Sequence, residues 1–159
     1  MLRVVLTSLM LTLTLLGNPC VAQALDEARL QSLIEEARAL AGKDIIMPIE
    51  EIRVAAQLAE VAGSESGSQN AVISKVRAEL WDHENFHVRR VAVNSIRRIG
   101  RFDSVDLPGA LIAKLDDPHP WVRYDAAWAI EAAGYRTPEA ISALKKLAAG
   151  TQAPSREER

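Results

Sequence analysis

Apolar residues recur along most of the chain at intervals of three and four, the spacing that places them on one face of an α-helix. Leu30, Leu33, Ile34, Ala37 and Leu40 form one such stripe, with Gly42 as a stop. Ala55, Leu58, Ala59 and Ala62 form a second, closed by Gly63, and the polar run from Gly63 to Asn70 reads as a connection. Val72, Val76 and Leu80 head a third helix. Val88, Ala92, Ser95, Ile96 and Ile99 make a stripe that ends at Gly100, and Val122, Ala126, Ala129, Ile130 and Ala133 make one that ends at Gly134. The last helix opens with Thr137 as N-cap and Pro138 as first helical residue, where a missing N–H costs nothing. No segment alternates with period two, so no sheet is expected.

Two of these stretches are copies of one another. Trp81 to Arg90 aligns with Leu115 to Tyr124 at an offset of 34 residues, and the match continues through Ala92/Ala126, Ile96/Ile130 and Gly100/Gly134. A weaker third copy places Ala55, Ala59 and Gly63 on the same positions at a slightly longer offset. A period in the thirties with two helices per unit is the mark of an α-solenoid, in which each pair has an apolar stripe that only stacking can cover. Residues 25–41 and 137–149 are expected to cap the two ends.

The string Leu-Asp-Asp-Pro-x-Pro-x-Val-Arg-x-x-Ala-Ala-x-Ala-Ile at 115–130 resembles the HEAT-like repeats of the phycobilisome-lyase type. The resemblance covers roughly residues 50–149 and implies an all-α fold, a short right-handed α-solenoid of about three HEAT-like helical-pair repeats. It further implies a ladder between units, made by an Asp and the Arg six residues after it. Asp117 and Arg123 fit that pattern; the earlier copy keeps Arg89 but has His83 in place of the Asp, with Asp82 one residue away.

Composition changes this picture at the N-terminus. Val4–Leu16 is an unbroken apolar or Ser/Thr run behind Arg3, and Ala22-Gln23-Ala24 supplies the small residues of a cleavage site. Residues 1–24 are therefore read as a signal peptide, 25–150 as the HEAT-like repeat domain and 151–159 as a disordered C-terminal tail. The expected destination is the periplasm or the medium, with no stable membrane insertion after cleavage. Cys20, the only cysteine, leaves with the signal unless it is lipidated, and Pro19 before it argues against lipidation. Net charge is −2 with a sequence pI of about 5.9, which lacks the positive field of a nucleic-acid binder.

His83-Glu84-Asn85-Phe86-His87 reads H-E-x-x-H, the zinc-hydrolase string, which works when both histidines share a helical face. The internal alignment opposes this: Phe86 matches Pro120, so a helix starts there, Asn85 is its N-cap, and His83 and Glu84 fall in the preceding turn. A looser metal site would join His83, His87 and His119 with Asp116 or Asp117. The stronger reading is a surface. Arg90, Asn94, Arg97, Arg98 and Arg101 lie opposite the apolar stripe of their helix, and Tyr124, Trp128 and Glu131 occupy the matching face of the next unit, with Arg53, Gln57 and Glu60 on the first copy. The resemblance implies that such second helices line a concave side. The expected protein-binding residues are Arg90, Asn94, Arg97, Arg101, Tyr124, Trp128 and Glu131; the competing reading is a solvated charged face with Trp128 packed on a neighbouring helix. Trp81 and Trp121, beside the inter-helix turns, are read as packing residues. The sequence thus points to an exported, non-catalytic protein-interaction scaffold with an unidentified protein partner, no cofactor and no catalytic residue. The alternative is a metal-binding protein or hydrolase acting through His83 and His87. A lyase by analogy with the repeat's namesake rests on fold likeness alone.

Overall fold

The computed structural model describes residues 19–43, 48–63, 68–100 and 106–150, with backbone alone for 19–26 and for Ser68. Among them lie seven α-helices and no strand: α1 Pro19–Ala39, α2 Pro48–Gly63, α3 Ser68–Leu80, α4 Phe86–Ile99, α5 Leu107–Lys114, α6 Pro120–Ala132 and α7 Pro138–Gly150. A single 3-10 turn, Leu40–Gly42, closes α1. No helix among the described residues is long and apolar enough to cross a membrane. The cleavage point expected after Ala24 falls within α1, while the apolar run Val4–Leu16 and residues 151–159 lie outside the described residues.

The helices form two layers. α2, α4 and α6 stack face to face as the spine, and each packs against a first-layer helix, α1 and α3 against α2, α3 against α4, and α5 against α6. α1 is thus a full member of a helical pair, longer than the cap expected from its stripe. The core runs unbroken from Leu30 to Ala140, and Ile34, Leu58, Leu80, Ile96, Leu111 and Ile130 are wholly buried along it. Burying one such side chain contributes about 1.5–3 kcal/mol, and no single pair can do so alone. Ala92, Ala126 and Ala129 are fully buried on the spine, where small side chains let neighbouring helices approach closely.

The units begin alike. Asn85 accepts the His87 N–H at 2.9 Å, His119 Nδ1 accepts the Trp121 N–H at 3.3 Å, and Thr137 Oγ1 accepts the Ala140 N–H at 3.2 Å. Each satisfies a donor that a helix start leaves open. The units end alike as well: Gly100 and Gly134 have φ of 84° and 69°, a region costly to any residue with a Cβ. Gly63 differs from them, being the last residue of α2.

A Cβ on Gly134 meets nothing within 4 Å, so replacing it tests backbone conformation alone. Gly134→Ala is expected to lower stability by about 1 kcal/mol in a denaturant titration, and Gly134→Asn by less, because Asn tolerates the left-handed region.

Candidate functional site

Arg89 on α4 is buried, and all three of its nitrogens are engaged. Nε and Nη2 each donate to Asp117 at 2.9 Å, a bidentate pair, while Nη1 donates to the carbonyls of His83 and Glu84 at 2.8 Å. One guanidinium therefore holds the turn of its own unit and the turn of the next. Arg123 repeats half of this, with Nη1 donating to the carbonyls of Asp117 and Pro118 at 2.9 and 3.0 Å. The expected ladder exists between α4 and the α5–α6 turn. It does not continue upward: Asp82 accepts from Lys114 Nζ at 2.9 Å instead, and the first-copy position that would supply the arginine is Ile52. Burial pushes the Asp117 carboxyl up, but hydrogen bonds from Arg89 and the His119 N–H, with the charges of Arg89 and Lys114, outweigh it and hold the group below the usual carboxylate range.

A second charged seam runs through the spine. Arg90 on α4 reaches Glu51 on α2 at 2.7 Å and Asp125 on α6 at 2.9 Å, so one cation ties three stacked helices. Asn94 donates to Asp125 at 2.9 Å, and His87 Nδ1 pairs with Glu51. Glu51 is 2% exposed and Asp125 is also buried. Burial raises the Asp125 carboxyl, only partly offset by the charge and hydrogen bond of Arg90 and the amide of Asn94. Arg90 and Asn94 were expected on an open strip. The structure instead turns them inward, with Asn94 only 6% exposed, because the two acids on neighbouring helices require partners.

What remains on the surface above this seam is a narrower cluster. Arg97 lies over the Trp128 ring at 4.6 Å and donates through Nε to Asn94 Oδ1 at 3.1 Å. Tyr124 sits 5.4 Å from Trp128 and edge-on to Trp121 at 6.0 Å, and Arg90 lies over Trp121 at 5.3 Å. Tyr124 and Trp128 are 49% and 46% exposed, and Glu131 is exposed beside them. Trp128 therefore contacts a neighbouring helix through Arg97 and still presents half its surface. Arg101 lies outside the described residues. On the first copy, Arg53 donates to Gln57 at 2.9 Å and pairs with Glu36, and Glu60 pairs with Arg29 at 3.3 Å. Trp81 is buried under Lys114, whose ammonium lies 5.4 Å from its ring, as a packing residue would be.

The three histidines do not converge on one point. His83 is in the turn before α4, where its Nδ1 accepts the Asn85 N–H at 3.1 Å; His87 is in the first turn of α4 against Glu51; His119 caps α6 and stacks on Phe86 with centroids 3.5 Å apart. Burial and the nearby Arg90 and Arg89 charges lower the His119 pKa. No group of three His, Cys, Asp or Glu that could hold a metal occurs among the described residues. Asn85 as N-cap separates His83 from the helix of His87, as the internal alignment predicts.

Glu51 and Asp125 escaped the sequence reading. The available signal was an acid on an apolar stripe: Asp125 follows Val122 by three residues, and Glu51 precedes Ala55 by four. An ionisable residue there needs a partner across the interface.

Two stacked layers of helical pairs, joined by a buried Arg–Asp rung, define a short helical solenoid. The family model of HEAT repeats matches residues 73–159, more than half of the chain, and the chain belongs to that family. No curated protein and no solved structure gives a significant match to it.

Removing Asp117 strands a buried guanidinium. Asp117→Asn is expected to cost about 3 kcal/mol at neutral pH. The wild-type carboxyl has a lowered pKa in the fold, so its contribution is present above about pH 4 and lost as pH falls through the lowered value. Thermal melts at pH 7 and pH 3 should show a wide gap between wild type and variant at pH 7 and a narrower one at pH 3.

Proposed function

We propose that this HEAT-repeat chain is an exported, non-catalytic scaffold that binds a protein partner on the strip formed by Arg97, Tyr124, Trp128 and Glu131. One observation carries the proposal: two large aromatic side chains stand half exposed beside an arginine, fixed by ring contacts on a helix that a buried charge seam holds still. Trp, Tyr and Arg are the residues that most often dominate interface energies, and rigid presentation lowers the ordering cost of binding. The Nη atoms of Arg97 have no partner among the described residues, so a carboxylate of the partner can add to the aromatic platform. Arg90 and Asn94 belong to this reading as the support beneath the strip, and Arg101 as its continuation. The strip lies on the second layer, which in solenoids of this kind is the concave side.

Export is proposed from the apolar run before Ala22-Gln23-Ala24 and from the absence of any other cysteine in the remaining chain, which suits an oxidising compartment. The likeness to repeats of the phycobilisome-lyase type is carried as a structural subtype, without its namesake's activity. The non-catalytic reading draws support from the histidines, each of which serves a turn or a buried carboxylate.

Affinity capture with the full chain expressed in its own host should yield a discrete partner that Arg97→Glu/Trp128→Ala loses while its melting temperature stays within a few degrees of wild type. An identical profile from the variant would contradict the strip as the binding surface. N-terminal sequencing of the exported protein should read Leu25 first; a chain retained with Met1 would remove export from the proposal.

A further inference from the structure

α7 packs on α5 and repeats its place in the first layer, but no second-layer helix follows α7 among the described residues. Between α6 and α7 lies a groove of about 300 Å³, lined by Pro120, Tyr124 and Ala127 on one side and Leu144 and Ala148 on the other. Arg123 stands at its edge. The corresponding groove one unit earlier, between α4 and α5, is filled by α6, whose leading turn places Asp117 on Arg89. Arg123 is held like Arg89, with Nη1 on the two carbonyls of its own turn. Its Nε and Nη2, the edge that Arg89 uses for Asp117, have no partner among the described residues.

We infer that this groove is a docking site for one amphipathic helix of a partner protein, led by a turn that sets an aspartate on the open edge of Arg123. Charge and shape both specify the occupant. The fork of Arg123 is fixed in advance and matches a carboxylate with two donors, as Arg89 demonstrates on the same scaffold. Along the docked helix, the place equivalent to Asp125 faces Tyr124, which lines the groove where the inner unit has Arg90. The partner helix therefore has an apolar residue there, because an acid would be buried against the Tyr124 ring without the arginine that pairs with Asp125 in the inner unit. Residues 151–159 do not meet this description. The register position of the aspartate is Thr151, and the segment to Arg159 offers Ala153 and Pro154 as its only apolar residues. The site shares Tyr124 with the proposed strip but does not depend on that strip being used.

The test is fluorescence anisotropy with a labelled peptide of residues 115–132 carrying Asp125→Leu, titrated with the full chain. Saturable binding is expected. Asp117→Asn in the peptide should weaken it about tenfold, the equivalent of about 1.4 kcal/mol, and Ala148→Glu in the chain should abolish it. Ala148 is exposed, so that change leaves the fold intact. Arg97→Glu should leave peptide affinity unchanged, which separates this site from the strip. Absence of binding, or equal binding of the Asp117→Asn peptide, overturns the proposal. Binding that emerges only after deletion of residues 151–159 would assign the groove to the chain's own tail. Self-association abolished by Ala148→Glu would assign it to a second copy. Either result overturns it too.

Discussion

One guanidinium sets the geometry of the stack. Arg89 fixes the carbonyls of the turn that launches its own helix and, through its other edge, the carboxylate of the turn that launches the next. Apolar burial would bring α4 and α6 together in several registers, since their contact is built largely from Val and Ala. A bidentate Arg–carboxylate pair admits few registers, because both donors must meet both oxygens in one plane. The burial of this pair adds a penalty for any arrangement that separates it. The rung therefore acts on specificity more than on total stability.

The second seam extends that control along the spine. Arg90 lies between acids on α2 and α6, with His87 and Asn94 completing their hydrogen bonds. Two carboxylates sharing one arginine within a buried layer leave little freedom for the helices to rotate. The consequence for function is indirect. Arg97, Tyr124 and Trp128 project from the helices that the seam holds, so their mutual positions follow from it and from their own ring contacts. The polar groups that looked most available in the sequence lie beneath this surface as its support.

The architecture was legible because the 34-residue self-match carries helix starts and stops with it. Asn85 and His119 fall on equivalent capping positions, as do Gly100 and Gly134 at the ends. The same alignment placed His83 in a turn and so separated it from the helix of His87. The direction of polar side chains on the second layer was not legible. Helical periodicity places Arg90 and Asn94 opposite the apolar stripe, yet the face opposite one neighbour is the face toward another in a stack. Deciding between solvent and a neighbouring helix needs the identity of the residue across the interface. Here those residues are Glu51 and Asp125, acids hidden in apolar stripes. The break in the ladder above Arg89 was visible only in part: His83 marked it, while Ile52 in place of the arginine explains it.

These features describe a scaffold whose buried polar groups are matched among the described residues, with Arg97 and Arg123 each keeping an edge that meets no partner there. Site-specific photocrosslinking tests that account most directly. A photoreactive phenylalanine analogue at Trp128, on the second layer, should yield a discrete adduct with a partner in the native host, and the same analogue at Ser74, exposed on α3 of the first layer, should yield none. Adducts confined to Ser74, or equal at both positions, would contradict it.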